Sequence, residues 1–363
     1  MTDQQWMRQA MNLALKARGK TSPNPMVGAV IVRNNRLLAQ GWHKRCGADH
    51  AEVMALKALK KSRRSAKGAK FYVTLEPCFH YGRTPPCIDA IMRSGIKEVI
   101  IGMRDPNPRT NGQSIAQLRR SGIKVRVGIL EPELKAMNEM FIKYITTGLP
   151  FVVAKCAQTL DGKVATERGA SKWITSNETR DYARGLRDQF DAILVGINTV
   201  LKDDPSLKAR SNTKQIKKIV VDSSLKIPLR ARLFNQTSPA QCFIATTSKA
   251  SRRKLNIFQK KGINVIICPQ QQGRIHLKWL FKELAKRGIT NILIEGGPTI
   301  VGDALKAGLV DKMHIYIAPK IFGDQTALDA VNGFKIKDVH RAIQLKGMEF
   351  NKIGKDIFIQ GYV

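Results

Sequence analysis

The chain has 363 residues, enough for two domains, and carries 62 Lys and Arg against 28 Asp and Glu, a net charge of +34. No apolar run approaches the ~18 residues that span a bilayer, and six scattered cysteines fit a reducing compartment rather than a disulfide framework. The basic residues are spread along the chain, in pairs such as Lys60-Lys61, Arg63-Arg64 and Arg119-Arg120, so a generally basic surface suited to small anionic molecules is expected before a specific nucleic-acid groove.

The chain starts Met1-Thr2-Asp3-Gln4-Gln5-Trp6, with no basic stretch leading into an apolar core, and a cytoplasmic location is expected. Residues 3–18 place Met7, Ala10, Met11, Ala14 and Leu15 at helical spacing, ended by Gly19. In the turn Ser22-Pro23-Asn24-Pro25, Asn24 either only shapes the turn or aims its amide at a ligand. Strand-like runs at 27–32 and 37–40 meet at Asn34-Asn35. Asp49 is expected to cap a helix running from His50 to about Lys61. A strand at 71–75 leads into Pro77-Cys78, and Pro85-Pro86 opens a helix with Cys87 in its first turn. A strand at 98–103, the loop Asp105-Pro106-Asn107-Pro108, a helix at 115–121, a strand at 124–128 and a helix at 131–146 follow. This alternation predicts an α/β unit with a largely parallel sheet.

His50, Cys78 and Cys87 offer one imidazole and two thiolates, and three protein ligands leave a fourth tetrahedral position for water, the pattern of catalytic Zn2+. Zinc lowers the pKa of its water to about 7. Glu52 is too close in sequence to His50 to share the metal easily but reaches its water, as the general acid/base does in the H-x-E…P-C-x-x-C pattern of zinc nucleobase deaminases. Helix N-termini favour thiolates and place the ligands at the crevice of an open sheet. Buried structural thiols are the alternative, but both cysteines flank a loop rich in Pro and Gly. Eight residues separate Cys78 from Cys87 where that pattern has two, so the insert 80–86 is expected to fold out and return Cys87 to the metal.

Gly148-Leu149-Pro150 breaks the pattern and divides the chain into residues 1–147 and 148–363. A strand at 151–157 carries Lys155, and Ser176 is expected to cap a helix through about Gln189. Strands at 192–196, 218–222, 242–246, 265–268 and 291–295, with a helix at 276–287, make a second α/β unit. Gly296-Gly297-Pro298-Thr299 either lets phosphate approach a helix N-terminus or is an ordinary tight turn. Lys155 and Glu295 are either groups of perturbed pKa or edge residues facing water.

The segments His50-Ala51-Glu52, Thr74-Leu75-Glu76-Pro77-Cys78, Gly82-Arg83-Thr84-Pro85-Pro86-Cys87 and Asp105-Pro106-Asn107-Pro108 resemble the bifunctional deaminase-reductases of riboflavin biosynthesis. So do Thr159-Leu160-Asp161-Gly162, Ser171-Lys172-Trp173-Ile174-Thr175-Ser176, Asp203-Asp204-Pro205 and Glu295-Gly296-Gly297-Pro298-Thr299. The resemblance implies a three-layer, cytidine-deaminase-like first domain. It would remove the 2-amino group of 2,5-diamino-6-(5-phosphoribosylamino)pyrimidin-4(3H)-one. It also implies a dihydrofolate-reductase-like second domain that reduces the ribosyl chain to ribityl with NADPH.

Carried over in the same way, Ser171, Arg187, Leu207, Arg210 and Glu295 resemble substrate contacts. Ala157, Trp173, Thr199, Asp203, Ser223 and the run Gly297, Pro298, Thr299, Ile300, Val301, Gly302 and Asp303 resemble cofactor contacts. Asn24 and Lys155 are added as substrate-binding candidates, and a homo-oligomer is expected. The family's usual V-A-G-x-G is replaced here by Thr110-Asn111-Gly112-Gln113-Ser114, which lacks the second glycine. A nucleic-acid deaminase with an appended domain is the competing reading, favoured by the charge and opposed by the long Cys–Cys loop. A basic binding module with structural zinc would have no use for Glu52.

Overall fold

The structure, a computed structural model, describes residues 1–79, 86–108, 110–211, 214–235 and 238–363. The chain divides into two compact units, Met1–Leu149 and Pro150–Val363. No helix among the described residues is long and apolar enough to cross a membrane.

In the first unit, α1 (Asp3–Leu15) opens on a capping box between Thr2 and Gln5 and buries Trp6, Met7, Ala10, Leu13 and Ala14. It stops at Leu15, short of the expected residue 18, and turns carry the chain on. β1 (Gly28–Arg33) and β2 (Arg36–Trp42) form a hairpin through Asn34 and Asn35, both at positive φ. Then come α2 (Ala51–Lys61), β3 (Lys70–Leu75), α3 (Cys87–Arg93), β4 (Glu98–Met103), α4 (Gln113–Arg120) and β5 (Lys124–Val127). The single helix expected at 131–146 is two, α5 (Glu131–Met137) and α6 (Glu139–Thr147). The break is Asn138, which is buried and trades two hydrogen bonds with the backbone of Met26, at 2.8 and 3.1 Å.

The sheet order is β2-β1-β3-β4-β5. It is mixed rather than largely parallel, because the hairpin makes β1 antiparallel to both neighbours while β3, β4 and β5 run parallel. α1 lies against Gly28 and α2 against Gly41, residues on opposite faces of the hairpin, so the unit has three layers. A Cβ on Gly41 would fall 2.5 Å from the nitrogen of Ala55, so the missing side chain lets α2 sit close on β2.

The second unit holds β6 (Phe151–Thr159), β7 (Lys163–Ala165), α7 (Asn177–Leu186), β8 (Ala192–Gly196), α8 (Ile197–Asp203), β9 (Lys217–Val221), β10 (Cys242–Thr246), α9 (Arg252–Lys260) and β11 (Asn264–Ile267). A short hairpin, β12 (Gln270–Gln271) and β13 (Arg274–Ile275), precedes α10 (Leu277–Lys286), β14 (Asn291–Glu295), α11 (Pro298–Lys306) and β15 (Lys312–Ala318). β16 (Leu328–Asp329), β17 (Lys346–Ile353) and β18 (Asp356–Tyr362) end the chain. Nine strands form one sheet, β11-β10-β9-β8-β14-β6-β15-β18-β17, in which only β18 runs against the others.

Candidate active sites

The first site gathers where β2 and β3 end. α2 begins at Ala51 with His50 at its N-cap, not Asp49; the Asp49 carboxylate is taken by Lys57 at 2.6 Å. Cys78 follows β3, and Cys87 is the first residue of α3, after Pro86. The Cys87 N–H donates to the Cys78 sulfur at 3.2 Å, which pins the two segments together. His50 Nδ1 lies 3.2 Å from Cys87 Sγ and 3.6 Å from Cys78 Sγ, and the three donor atoms lie within 4.8 Å of one another. Zinc bonds of about 2.0 Å to nitrogen and 2.3 Å to sulfur, set at tetrahedral angles, put such donors roughly 3.5 Å apart. The donor set fits zinc. Residues 80–85, which hold most of the insert expected to fold out and the Gly82-Arg83-Thr84-Pro85 motif, lie outside the described residues.

The electrostatics follow from crowding. Two adjacent thiols do not both ionise unaided. Cys78 is pushed down by the hydrogen bond from Cys87 and by His50, while that same bond and burial push Cys87 up. His50 is raised, chiefly by its bond to Cys78. A cation among them favours both thiolates and a neutral imidazole. Glu52, in the first turn of α2, is 4% exposed, and burial followed by the charge of Cys78 lifts its pKa to about 7.

Sequence reasoning missed His43. It is buried, its ring meets His50 edge-on at 5.3 Å, and burial lowers its pKa. Nδ1 lies 3.1 Å from the carbonyl of Asp49, which only accepts, so Nδ1 carries the proton and Nε2 accepts from the Asn24 amide at 3.2 Å. Asn24 is thereby held beside the donor set. No spacing or pattern in the chain signals this link.

The loop that lacks the second glycine is regular here. Gly112 takes the left-handed φ of +86°, while Ser114 lies inside α4, where the helical backbone does not call for glycine.

The second constellation lies on one face of the larger sheet. Lys155 on β6 is in register with Glu295 on β14 and His314 on β15. Its amine sits 5.6 Å from the ring centre of Tyr316. Arg187, just after α7, grips Glu295 with two bonds of 2.6 and 2.8 Å and donates to the carbonyl of Lys208 at 2.8 Å. Arg187, Glu295 and the chain beside Leu207 are thus brought together, whereas Leu207 itself is buried and Arg210 is exposed. Burial would raise the Glu295 carboxyl, but the Arg187 charge and hydrogen bonds outweigh it and the pKa is lowered.

Thr199, Ser223 and Gly297 follow the C-terminal ends of β8, β9 and β14. Gly296 and Gly297 have φ of +95° and +84°, and Thr199 on α8 lies against Gly296. Pro298 and Thr299 open α11; Ile300, Val301 and Gly302 are buried, Gly302 against the backbone of Asn332. Asp303 is engaged by Arg274 at 2.7 Å. Asp203 ends α8, Ala157 lies on β6, and the Ser223 carbonyl accepts from Thr247 at 2.7 Å. Trp173 is 60% exposed, with the Arg180 guanidinium 4.2 Å over its ring and Lys320 on its carbonyl at 2.6 Å. It borders a cleft of about 600 Å³ that Ser176 and Lys355 also line. Ser171 lies two residues before it and is half-buried.

Two family models match the chain. The cytidine and deoxycytidylate deaminase zinc-binding region covers residues 1–103, and the RibD C-terminal domain covers residues 150–359. The chain belongs to the RibD family. It is 42% identical to the riboflavin biosynthesis protein RibD of Aquifex aeolicus over 98% of this chain and 97% of that one. The RibD protein of Escherichia coli is 38% identical over 98% of each chain. A solved RibD structure from Acinetobacter baumannii superposes with a TM-score of 0.89 at 34% identity, covering 99% of this chain and 98% of that one. A Thermotoga maritima structure described as a diaminohydroxyphosphoribosylaminopyrimidine deaminase/5-amino-6-(5-phosphoribosylamino)uracil reductase gives 0.86 at 34% identity, with the same coverage. RibD membership makes the chain a bifunctional enzyme, a zinc-dependent deaminase joined to a reductase whose domain fits NADPH. The fold expectation of a deaminase-like first domain and a reductase second domain holds.

Proposed function

We propose that the chain hydrolyses the 2-amino group from 2,5-diamino-6-(5-phosphoribosylamino)pyrimidin-4(3H)-one and then reduces the product's ribosyl chain with NADPH. The product is 5-amino-6-(5-phosphoribitylamino)uracil. The observation that carries the first step is the buried Glu52 carboxyl set against the His50, Cys78 and Cys87 donors.

His50, Cys78 and Cys87 hold the zinc, which when bound acts as a Lewis acid and activates water. Water adds at C2 of the pyrimidine and the amine leaves as ammonia, so two protons must move. Glu52, buried in the first turn of α2 two residues after His50, is placed to accept and donate these protons. Its carboxylate takes the proton of the attacking water, passes it to the ring nitrogen beside C2, and delivers a second to the departing amine. Asn24, steadied by His43, orients the substrate from the neighbouring turn.

In the second unit NADPH supplies the hydride. Lys155 and the Arg187–Glu295 pair contact the substrate, with Ser171, Leu207 and Arg210 as further contacts. Ala157, Trp173, Thr199, Asp203, Ser223 and residues 297–303 hold the cofactor, its phosphates nearest the N-terminus of α11. The positive charge draws in a phosphorylated substrate and cofactor rather than a specific nucleic acid. A cytoplasmic homo-oligomer is the form we expect, and sedimentation of the purified protein tests that state.

The test of the function is direct. Purified protein given the diaminopyrimidine should release one ammonia per substrate, and then consume NADPH one for one. Ammonia from transfer RNA and none from the pyrimidine would reverse the reading.

A further inference from the structure

The segment that carries Cys78 is fastened from behind by the first turn of α4. The Glu76 carboxylate is buried and accepts three backbone N–H groups, from Asp105 at 3.2 Å, Gly112 at 2.9 Å and Ile115 at 3.4 Å. The next residue is held too: the Ser114 hydroxyl donates to the carbonyl of Pro77 at 2.6 Å, and Ser114 is 0% exposed. That carbonyl belongs to the same planar peptide unit as the backbone nitrogen of Cys78. Fixing the oxygen fixes the plane, and with it the direction in which Cys78 leaves the strand. The V-A-G-x-G pattern that the resemblance implies has glycine here, which has no hydroxyl to offer.

We propose that Ser114 is a positioning residue for the Cys78 thiolate, a tether this chain has in place of the second glycine of the loop. The hydroxyl limits rotation about the Pro77–Cys78 peptide, so the sulfur stands ready between His50 and Cys87 instead of being drawn there by the metal. Partners that orient metal ligands typically contribute about 10–100-fold in metal affinity. Acting through the backbone, Ser114 belongs at the lower end. The inference rests on the reading of His50, Cys78 and Cys87 as zinc ligands.

The test is zinc affinity of the full chain, read by competition with a coloured chelator. Co2+ in place of zinc adds a second readout, the thiolate-to-metal absorption that reports the ligand set. Ser114→Ala should bind zinc about tenfold more weakly and shift the Co2+ bands. Ser114→Thr, which keeps the hydroxyl, should retain both. NADPH reduction and the unfolding midpoint serve as checks on folding. Should the alanine variant fail to fold, Ser114→Gly, which also lacks the hydroxyl, replaces it with the same expected loss. Wild-type affinity and bands in the variant lacking the hydroxyl overturn the proposal. Equal loss with and without the hydroxyl also overturns it, since that marks a packing role. A wild-type chain that binds no zinc overturns the ligand assignment itself, and is seen in the same titration before any variant is made.

Discussion

Arg187 and Glu295 face each other squarely: Nε to Oε1 is 2.6 Å and the second nitrogen to Oε2 is 2.8 Å, with 20% and 10% of the side chains exposed. Removing one partner strands the other. Glu295→Gln should destabilise the protein by about 3 kcal/mol and abolish most NADPH-dependent reduction, while deamination persists. Because Glu295 is lowered from 4.5, the pair contributes fully above about pH 4.5 and is lost as pH falls through the folded pKa. Denaturant midpoints and the two separate assays check this. Unchanged reduction in the variant would remove Glu295 from the reductase site.

Glu52→Gln should lose about 10²–10⁴-fold in deamination, the usual worth of a general acid/base. It should keep its zinc and reduce pre-deaminated substrate at a near-normal rate. Metal analysis and the two assays decide it; deamination within about tenfold of wild type would reject the role.

Chelation should separate the activities. Stripping zinc, or replacing Cys87 with Ser, should abolish deamination and leave NADPH reduction of the deaminated substrate intact. Full zinc occupancy in Cys87→Ser would remove Cys87 from the ligand set.

Trp173 presents an exposed ring backed by Arg180 at 4.2 Å. Trp173→Ala should raise the NADPH dissociation constant about fivefold, the worth of one aromatic contact. Titration followed by NADPH fluorescence measures it, and an unchanged constant would move the nicotinamide cofactor elsewhere.

His314 is buried on β15, its Nδ1 has no hydrogen-bond partner among the described residues, and burial holds its pKa at about 4 against 6.5 in the unfolded chain. The unfolded state therefore binds the extra proton first as pH falls below 6.5, and stability declines. The loss from this residue between ~pH 7 and ~pH 5 should be about 2 kcal/mol. His314→Phe should flatten the pH dependence of the urea midpoint by that amount; an unaltered slope would mean that His314 is protonated in the fold.

The donor set was legible in the sequence because each part is local. A short strand ends at Pro77-Cys78, a proline stands before Cys87 at a helix start, and His50 with Glu52 straddles another. Those starts depend on φ angles and orphan N–H groups within a few residues, which the sequence specifies directly. The three layers of the first unit came only with the family resemblance, and the residues alone left the role of the glycine turn before α11 open. The strands after residue 311 went unread. β17 is exposed along nearly its whole length, so burial leaves no alternating pattern, and β15 is recognisable only from its neighbours β6 and β18.

The contacts that tune the sites were equally hidden. Arg187 meets Glu295 across 108 residues of chain, Ser114 meets Pro77 across 37, and Asn24 meets His43 through a ring whose tautomer is set by the carbonyl of Asp49. By itself the sequence determined which chemistry the chain carries, since ligand types and helix starts are properties of short segments. Only the tertiary structure decided which charged and polar groups face one another, because a hydrogen bond or ion pair a few ångströms long depends on how distant segments pack, and local periodicity holds no record of that.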